Sequence, residues 1–176
     1  MRNPKLILIS GHSGAGKTTI CKKLIDSLKE KETLILEVEK YFIPYNKRER
    51  NIYGDDNSPY SYYLSKLVED VKNAIDSKVF DYIVVEGNLA LYDDNLNELT
   101  DYRVFVDCDE EERFTRKIQA NLEAGISFDD LTNIYLDVAR YRHNQFVEMS
   151  KTNATLIVSG EKDVAVTIKE ILDFVQ

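Results

Sequence analysis

The chain has 176 residues, 43% hydrophobic and 31% charged, enough to bury about two-thirds of its unfolded surface in one domain without disulfide or metal staples. Its formal net charge of -8 makes the surface as a whole repel polyanions, which argues against nucleic acid as a partner and requires any phosphate site to be built locally. Cys21 and Cys108 form neither a metal spacing nor a disulfide framework, and no apolar run approaches the roughly 20 residues that span a bilayer or the length of a signal segment. The expectation is a cytoplasmic protein in a reducing compartment with no membrane partner.

In chain order, the first element is "KLILIS" (5–10), a nearly continuous apolar run of the kind found in parallel strands covered on both faces. Behind it comes "GHSGAGKT" (11–18), then a helical period with Ile20, Leu24, Ile25 and Leu28 on one face. Gly11-x-x-x-x-Gly16-Lys17-Thr18, between a strand and an amphipathic helix, is a complete P-loop pattern. Glycines at 11, 14 and 16 let successive backbone N–H groups converge on one concavity, and the helix dipole adds positive potential there. The cradle comprises Gly11, Ser13, Gly14, Ala15, Gly16, Lys17, Thr18 and Thr19. Lys17 is expected to reach the β- and γ-phosphates of ATP, with the Thr18 hydroxyl on Mg²⁺. His12 reads as a permissive, exposed residue of the loop.

A second strand, "TLILEV" (33–38), leads into "EKYFIPYNKRERNIYGDDNSPYSYY" (39–63), an aromatic and charged stretch with no clear period. A connection of this length inside a compact domain is usually functional or mobile. It could stack on a ring-shaped acceptor or pack as a lid on its own tyrosines. Leu64, Leu67, Val68, Val71, Ala74 and Ile75 then share a helix face. "YIVVEG" (82–87) is the third strand and ends in Glu86, read either as an acid facing the metal or as a surface acid at a strand terminus.

"YRVFVD" (102–107) and "ATLIVS" (154–159) supply two more strands, separated by a helix at 109–123 that opens with four acids and by a longer series, Phe128 to Met149, at spacings of three and four. Strands alternating with helices predict a doubly wound α/β fold, with the glycine loop of P-loop NTPase type, in a single domain over 1–176. No Asn-Lys-x-Asp base-reading motif and no "LSGGQ"-type signature occur, so a small-molecule kinase fits better than a GTPase or a transporter ATPase.

"DYIVVEGNLAL" (81–91), "DYRVFVDCDEEERFTRKI" (101–118) and "IYLDVARYRHNQFVEMSKTNATLIVSG" (134–160), taken with the P-loop, strongly resemble the uridine kinase branch of P-loop kinases, which shares ancestry with phosphoribulokinase and pantothenate kinase. The resemblance implies a five-stranded parallel sheet of order 2-3-1-4-5, acceptor and lid segments at about 39–63 and 109–127, and an ATP- and Mg²⁺-dependent enzyme that phosphorylates a hydroxyl of a nucleoside or similar small metabolite. It implies that Glu39, in "EVEKYF", stands where the family has an aspartate that accepts the acceptor proton, with Tyr41 among the acceptor-binding aromatics. The other reading of Glu39 is a solvated strand-end acid. Arg140 matches the family's long-helix arginine, and Asp55 and Asp56 resemble its acidic acceptor-side turn; a solvent-facing charge and simple turn chemistry are the alternatives.

Two departures stand out. In the lid stretch "RKIQANLEAGIS" (116–127) the family's later arginine positions hold Ala120, Ala124 and Ile126, leaving Arg113, Arg116, Arg140 and Arg142 as candidates to balance phosphoryl charge. The substrate-covering hairpin before the third strand is absent, so the base pocket is trimmed. The catalytic assignment is Lys17, Glu39, Arg113 and Arg116, with Thr18 and Glu86 for the metal and the adenine side near "SGEKD" (159–163). A nucleotide-binding regulatory protein of degenerate kinase type is the alternative. The sequence does not determine the oligomeric state, and a homodimer stays open.

Overall fold

The computed structural model describes residues 3–47, 57–129 and 143–176. Its centre is a five-stranded sheet, β1 (Lys5–Gly11), β2 (Thr33–Glu37), β3 (Tyr82–Glu86), β4 (Tyr102–Asp107) and β5 (Leu156–Ser159), in the order β2-β3-β1-β4-β5. Every pairing is parallel, so all strands end at the same edge of the sheet. This is the P-loop NTPase arrangement that the sequence implied.

The near-continuous apolar strands have a simple cause: alternate residues feed opposite faces, and both faces are covered. On one face Leu6, Leu8, Ile83, Val85 and Phe105 pack with Leu67 and Val71 of α2 (Leu64–Ser77). On the other, Ile7, Ile9, Val84, Val104 and Val106 pack with Ile20 and Leu24 of α1 (Lys17–Ser27). Past α2, Lys78 takes a left-handed conformation (φ 53°), and the chain enters β3 at Tyr82. The passage is as direct as the missing hairpin predicts.

Among the described residues the remaining α-helices are α3 (Asp94–Asn97), α4 (Glu110–Glu123) and α5 (Val164–Val175). The last is an addition to the elements expected from sequence. Its signal is visible in retrospect: Asp163 accepts from the Ala165 N–H at 2.8 Å as an N-cap, and Ile168, Ile171 and Val175 follow at spacings of three and four. All three are buried beside α1 and the sheet.

The long helical series predicted over 128–149 is described only near its ends. His143–Glu148 is π-helical, with Phe146 and Val147 buried. Met149, expected on the apolar face, is 65% exposed, and Gln145 is exposed as well. The wider π turn shifts the phase of the face, which a period of 3.6 does not anticipate.

Of the 39–63 stretch, the described ends pair with each other. A 3₁₀ turn covers Val38–Tyr41, the Phe42 and Tyr62 backbones form an antiparallel bridge, and their rings meet edge to face at 5.2 Å. The Tyr63 N–H donates to Tyr41 O at 2.9 Å and Ile43 N–H to Ser61 O at 2.8 Å. These ends pack on each other through their aromatic rings.

Ile171 is fully buried. Ile171→Ala should therefore lower unfolding stability by about 2–4 kcal/mol in urea titrations. A loss below about 1 kcal/mol would show that α5 is not an integral part of the core.

Candidate active site

The P-loop leaves β1 at Gly11 and enters α1 at Lys17, with Gly16 as N-cap at φ 94°, a left-handed value suited to glycine. No side chain caps α1, so its first amides and its positive dipole end remain available to an anion. Lys17 is only 6% exposed. Its ammonium donates to His12 O at 3.0 Å and to Asn88 Oδ1 at 2.7 Å. Burial pulls its pKa down to about 8, against the opposing pull of the Glu86 and Glu39 carboxylates.

Both carboxylates sit at strand ends. Glu86 is the last residue of β3, paired in register with Ile9 of β1 and Glu37 of β2, and is 3% exposed rather than a surface acid. Glu39 follows β2 in the turn at Val38–Tyr41. Gly87 lets that turn approach β3, because a Cβ there would lie 2.5 Å from the Val38 Cβ. Burial raises the Glu39 pKa, and the like charge of Glu86 raises it further while Lys17 opposes.

The Thr18 hydroxyl donates to Glu86 Oε1 at 3.1 Å. A hydroxyl and a carboxylate in contact make an oxygen-only donor pair, which suits a hard cation such as Mg²⁺ that keeps several waters. Among the described residues there is no group of three or more His, Cys, Asp or Glu side chains that could hold a metal by themselves.

These groups line one cavity of about 620 Å³ along the carboxyl edge of the sheet. Ser13, Gly14, Gly16, Lys17, Thr18, Thr19, Glu39, Glu86 and Arg116 all contribute to its wall. Gly11 and Ala15 belong to the same loop but not to that wall; Ala15 is fully buried beneath it. Asn88, which sequence reasoning did not single out, lies in the wall beside Lys17. So do Ser159, Gly160, Glu161 and Lys162, the stretch expected on the adenine side, followed by Val164 and Thr167 of α5.

The arginines divide. Arg116 reaches the cavity, but its Nη1 donates to Gly14 O (3.3 Å) and Gly160 O (3.1 Å), and its Nε to Glu112 Oε1 (2.8 Å). It braces the P-loop against the loop after β5. Arg113 is buried outside the cavity wall, its Nε donating to Cys108 O at 2.9 Å. Tyr41 is turned to α2, its hydroxyl donating to Asp70 Oδ2 at 2.8 Å. Asp55, Asp56, Arg140 and Arg142 lie outside the described residues.

One expectation is overturned. His12 is not an exposed loop residue but 3% exposed, edge-on to Phe105 at 5.8 Å, with Nε2 donating to Glu148 Oε2 at 2.7 Å. Burial lowers its pKa, which leaves it neutral near pH 7 against the pull of Glu148. The ring fills space behind the loop, a role the residue type alone does not announce.

The model of the phosphoribulokinase / uridine kinase family matches residues 53–167. The chain belongs to this family. A zeta toxin family model also matches residues 1–104, the half that carries the P-loop. This phosphoribulokinase/uridine kinase family member is similar to the uridine kinase of Geobacillus kaustophilus, at 31% identity over 95% of the chain and 92% of the relative. It is 33% identical to the uridine kinase of Bacillus cereus strain B4264, over 94% and 91%. In fold it resembles a possible uridine kinase of Bacillus stearothermophilus (TM-score 0.63, 13% identity, 89% of each chain). A gluconokinase of Sinorhizobium meliloti is similar too (TM-score 0.55, 15% identity, 99% of this chain and 93% of that one). Family membership makes this kinase a phosphotransferase with a hydroxyl acceptor. No helix among the described residues is long and apolar enough to cross a membrane.

The buried Lys17 has a consequence for stability. Its proton leaves near pH 8 in the folded state and near the ordinary 10.5 when unfolded, so between these values the unfolded chain binds more protons and stability rises with pH. Relative to Lys17→Met, the wild-type chain should gain about 2 kcal/mol between about pH 7.5 and about pH 9.5 in urea titrations. A difference that stays flat or falls over this window would mean that the ammonium is not desolvated.

Proposed function

We propose that this chain transfers the γ-phosphate of ATP, in the presence of Mg²⁺, to a hydroxyl of a nucleoside of the uridine or cytidine kind. The single observation that carries the reading is the meeting of the Lys17 ammonium, the Thr18 hydroxyl and the Glu39 and Glu86 carboxylates in one cavity, open to uncapped helix amides. The family and its uridine kinase relatives support the nucleoside as acceptor.

In this reading the amides from Ser13 to Thr19 and the Lys17 ammonium bind the triphosphate oxygens. Thr18 and Glu86 would hold Mg²⁺, which when bound neutralises charge on the β- and γ-oxygens. Glu39 orients the acceptor hydroxyl and takes its proton as the new O–P bond forms and the bond to the β-phosphate oxygen breaks; the products are ADP and a phosphate monoester. Its raised pKa suits a carboxylate that must accept a proton near neutral pH. Arg116 holds the P-loop and the loop after β5 at a fixed separation, and Arg113 adds positive potential behind the loop, where it disfavours charge on His12 and Lys17. The four-residue passage from α2 to β3 leaves the base side less covered, which fits modest discrimination among nucleosides.

The test is ADP release with MgATP against a panel of nucleosides, sugars and vitamins. Uridine or cytidine should give the highest kcat/KM. Glu39→Gln should lower kcat by at least about a hundredfold while MgATP still binds, because only the proton acceptor is lost. Lys17→Ala should weaken nucleotide binding itself. Turnover on no member of the panel, or full activity in Glu39→Gln, would reject the reading.

A further inference from the structure

The hydrogen bonds around Lys17 do not stop at the lysine. An ammonium has three donors and no acceptor, so the Asn88 atom that faces it at 2.7 Å must be the amide oxygen. This choice fixes the other end of the side chain: Asn88 Nδ2 points away and donates to Asn57 Oδ1 at 3.0 Å. The Asn88 backbone is pinned too, its carbonyl accepting from the Ser10 hydroxyl of β1 at 2.8 Å. Lys17, Asn88 and Asn57 thus form one directed chain of hydrogen bonds.

The two ends of this chain lie on different sides of the site. Lys17 stands in the phosphate cavity. Asn57 is buried at the start of the returning arm of the 39–63 stretch, followed by the buried Ser58 and the 3₁₀ turn Pro59–Ser61. This arm is held by the Ser61 N–H to Ser58 O at 3.0 Å and by the Tyr63 N–H to Tyr41 O at 2.9 Å, and it leads back to the turn that carries Glu39.

We propose that Asn88 is a positioning residue that reports occupancy of the phosphate cavity to the acceptor-side arm at 57–63. It rests on the reading of Lys17 as a phosphate ligand given above. His12 O and Asn88 Oδ1 take two of the three ammonium donors, which aims the third into the cavity. A triphosphate that engages the third donor immobilises the ammonium, and with it the Asn88 amide and the Asn57 side chain. The acceptor-side arm is thereby ordered before the acceptor arrives. Side-chain networks that bridge two ligand sites couple them in this way, because each ligand loses less freedom when the other is bound.

The measurement is hydrogen–deuterium exchange of peptides over 57–63 in the whole chain, with and without the magnesium complex of a non-hydrolysable ATP analogue and with no acceptor present. In the wild-type chain the analogue should slow exchange there by at least about fivefold. Two variants cut the chain at different links. Asn88→Leu removes both bonds, and it should still bind the analogue while exchange at 57–63 no longer responds. Asn57→Leu leaves the bond between Asn88 and Lys17 in place and removes only the acceptor of Asn88 Nδ2. It should fold, bind the analogue, and likewise lose the response at saturation. Binding with unchanged exchange in the wild-type chain, or a wild-type response in either variant, overturns the proposal and leaves the proposed function standing. No binding of the analogue to the wild-type chain overturns both.

Discussion

A lysine ammonium withdrawn from water is the constraint around which the carboxyl edge of this sheet is arranged. Lys17 could be buried uncompensated only at a cost of several kcal/mol, and its lowered pKa registers part of that cost. Two neutral acceptors, His12 O and Asn88 Oδ1, satisfy two of its three hydrogens, while two carboxylates supply the opposite charge at longer range. Three different strands contribute these partners: β1 leads to His12, β2 to Glu39 and β3 to Glu86 and Asn88. A parallel sheet serves this purpose because every strand delivers its C-terminal residues to the same edge.

The balance at that edge is local and owes little to the chain as a whole. A surface of net charge -8 would not draw in a triphosphate, yet the cavity concentrates one buried ammonium, an uncapped helix start and the brace of Arg116. The two carboxylates offset this positive potential, and the Glu39 pKa is raised first by burial and then by the repulsion of Glu86. Arg116 spends its hydrogen bonds on the Gly14 and Gly160 carbonyls, so the lid's sparing use of arginine is accompanied by a commitment of the one it retains to loop geometry. Behind the loop, His12, Glu148, Lys151 and Asp107 form a second polar string, with Glu148 3.7 Å and Asp107 2.9 Å from the Lys151 Nζ. It ties the P-loop to the π-helical segment and to the end of β4.

Much of the architecture was legible in the order of residues. The five apolar runs became the five strands to within two residues at each end, most closely in the central β3, β1 and β4, because a strand covered on both faces has no polar positions to blur its ends. The glycine loop was legible because its spacing reflects a backbone shape that side chains forbid. Glu86 could be picked out because P-loop proteins carry a metal-facing acid at such a strand end; Glu37 and Asp107 end strands too, so the pattern by itself does not single it out. The C-terminal helix, the phase of the 143–149 face and the burial of His12 escaped for different reasons. The first is a short helix at the end of the chain with ordinary amphipathic spacing, the second departs from the 3.6 period, and the third depends on Phe105 and Glu148, far away in sequence.

The sequence by itself therefore determined the strands and the phosphate loop, which follow from patterns within a few consecutive residues, while the strand order and the place of Glu39 were implied by the resemblance to the family. Tertiary structure alone decided which side chains meet across strands: Lys17 with Asn88, Asn88 with Asn57, His12 with Glu148, Arg116 with Gly160. Such pairs join residues tens to more than a hundred positions apart. A single polar residue such as Asn88 has no periodicity to betray it, and its meaning arises only when the fold sets an ammonium against its oxygen.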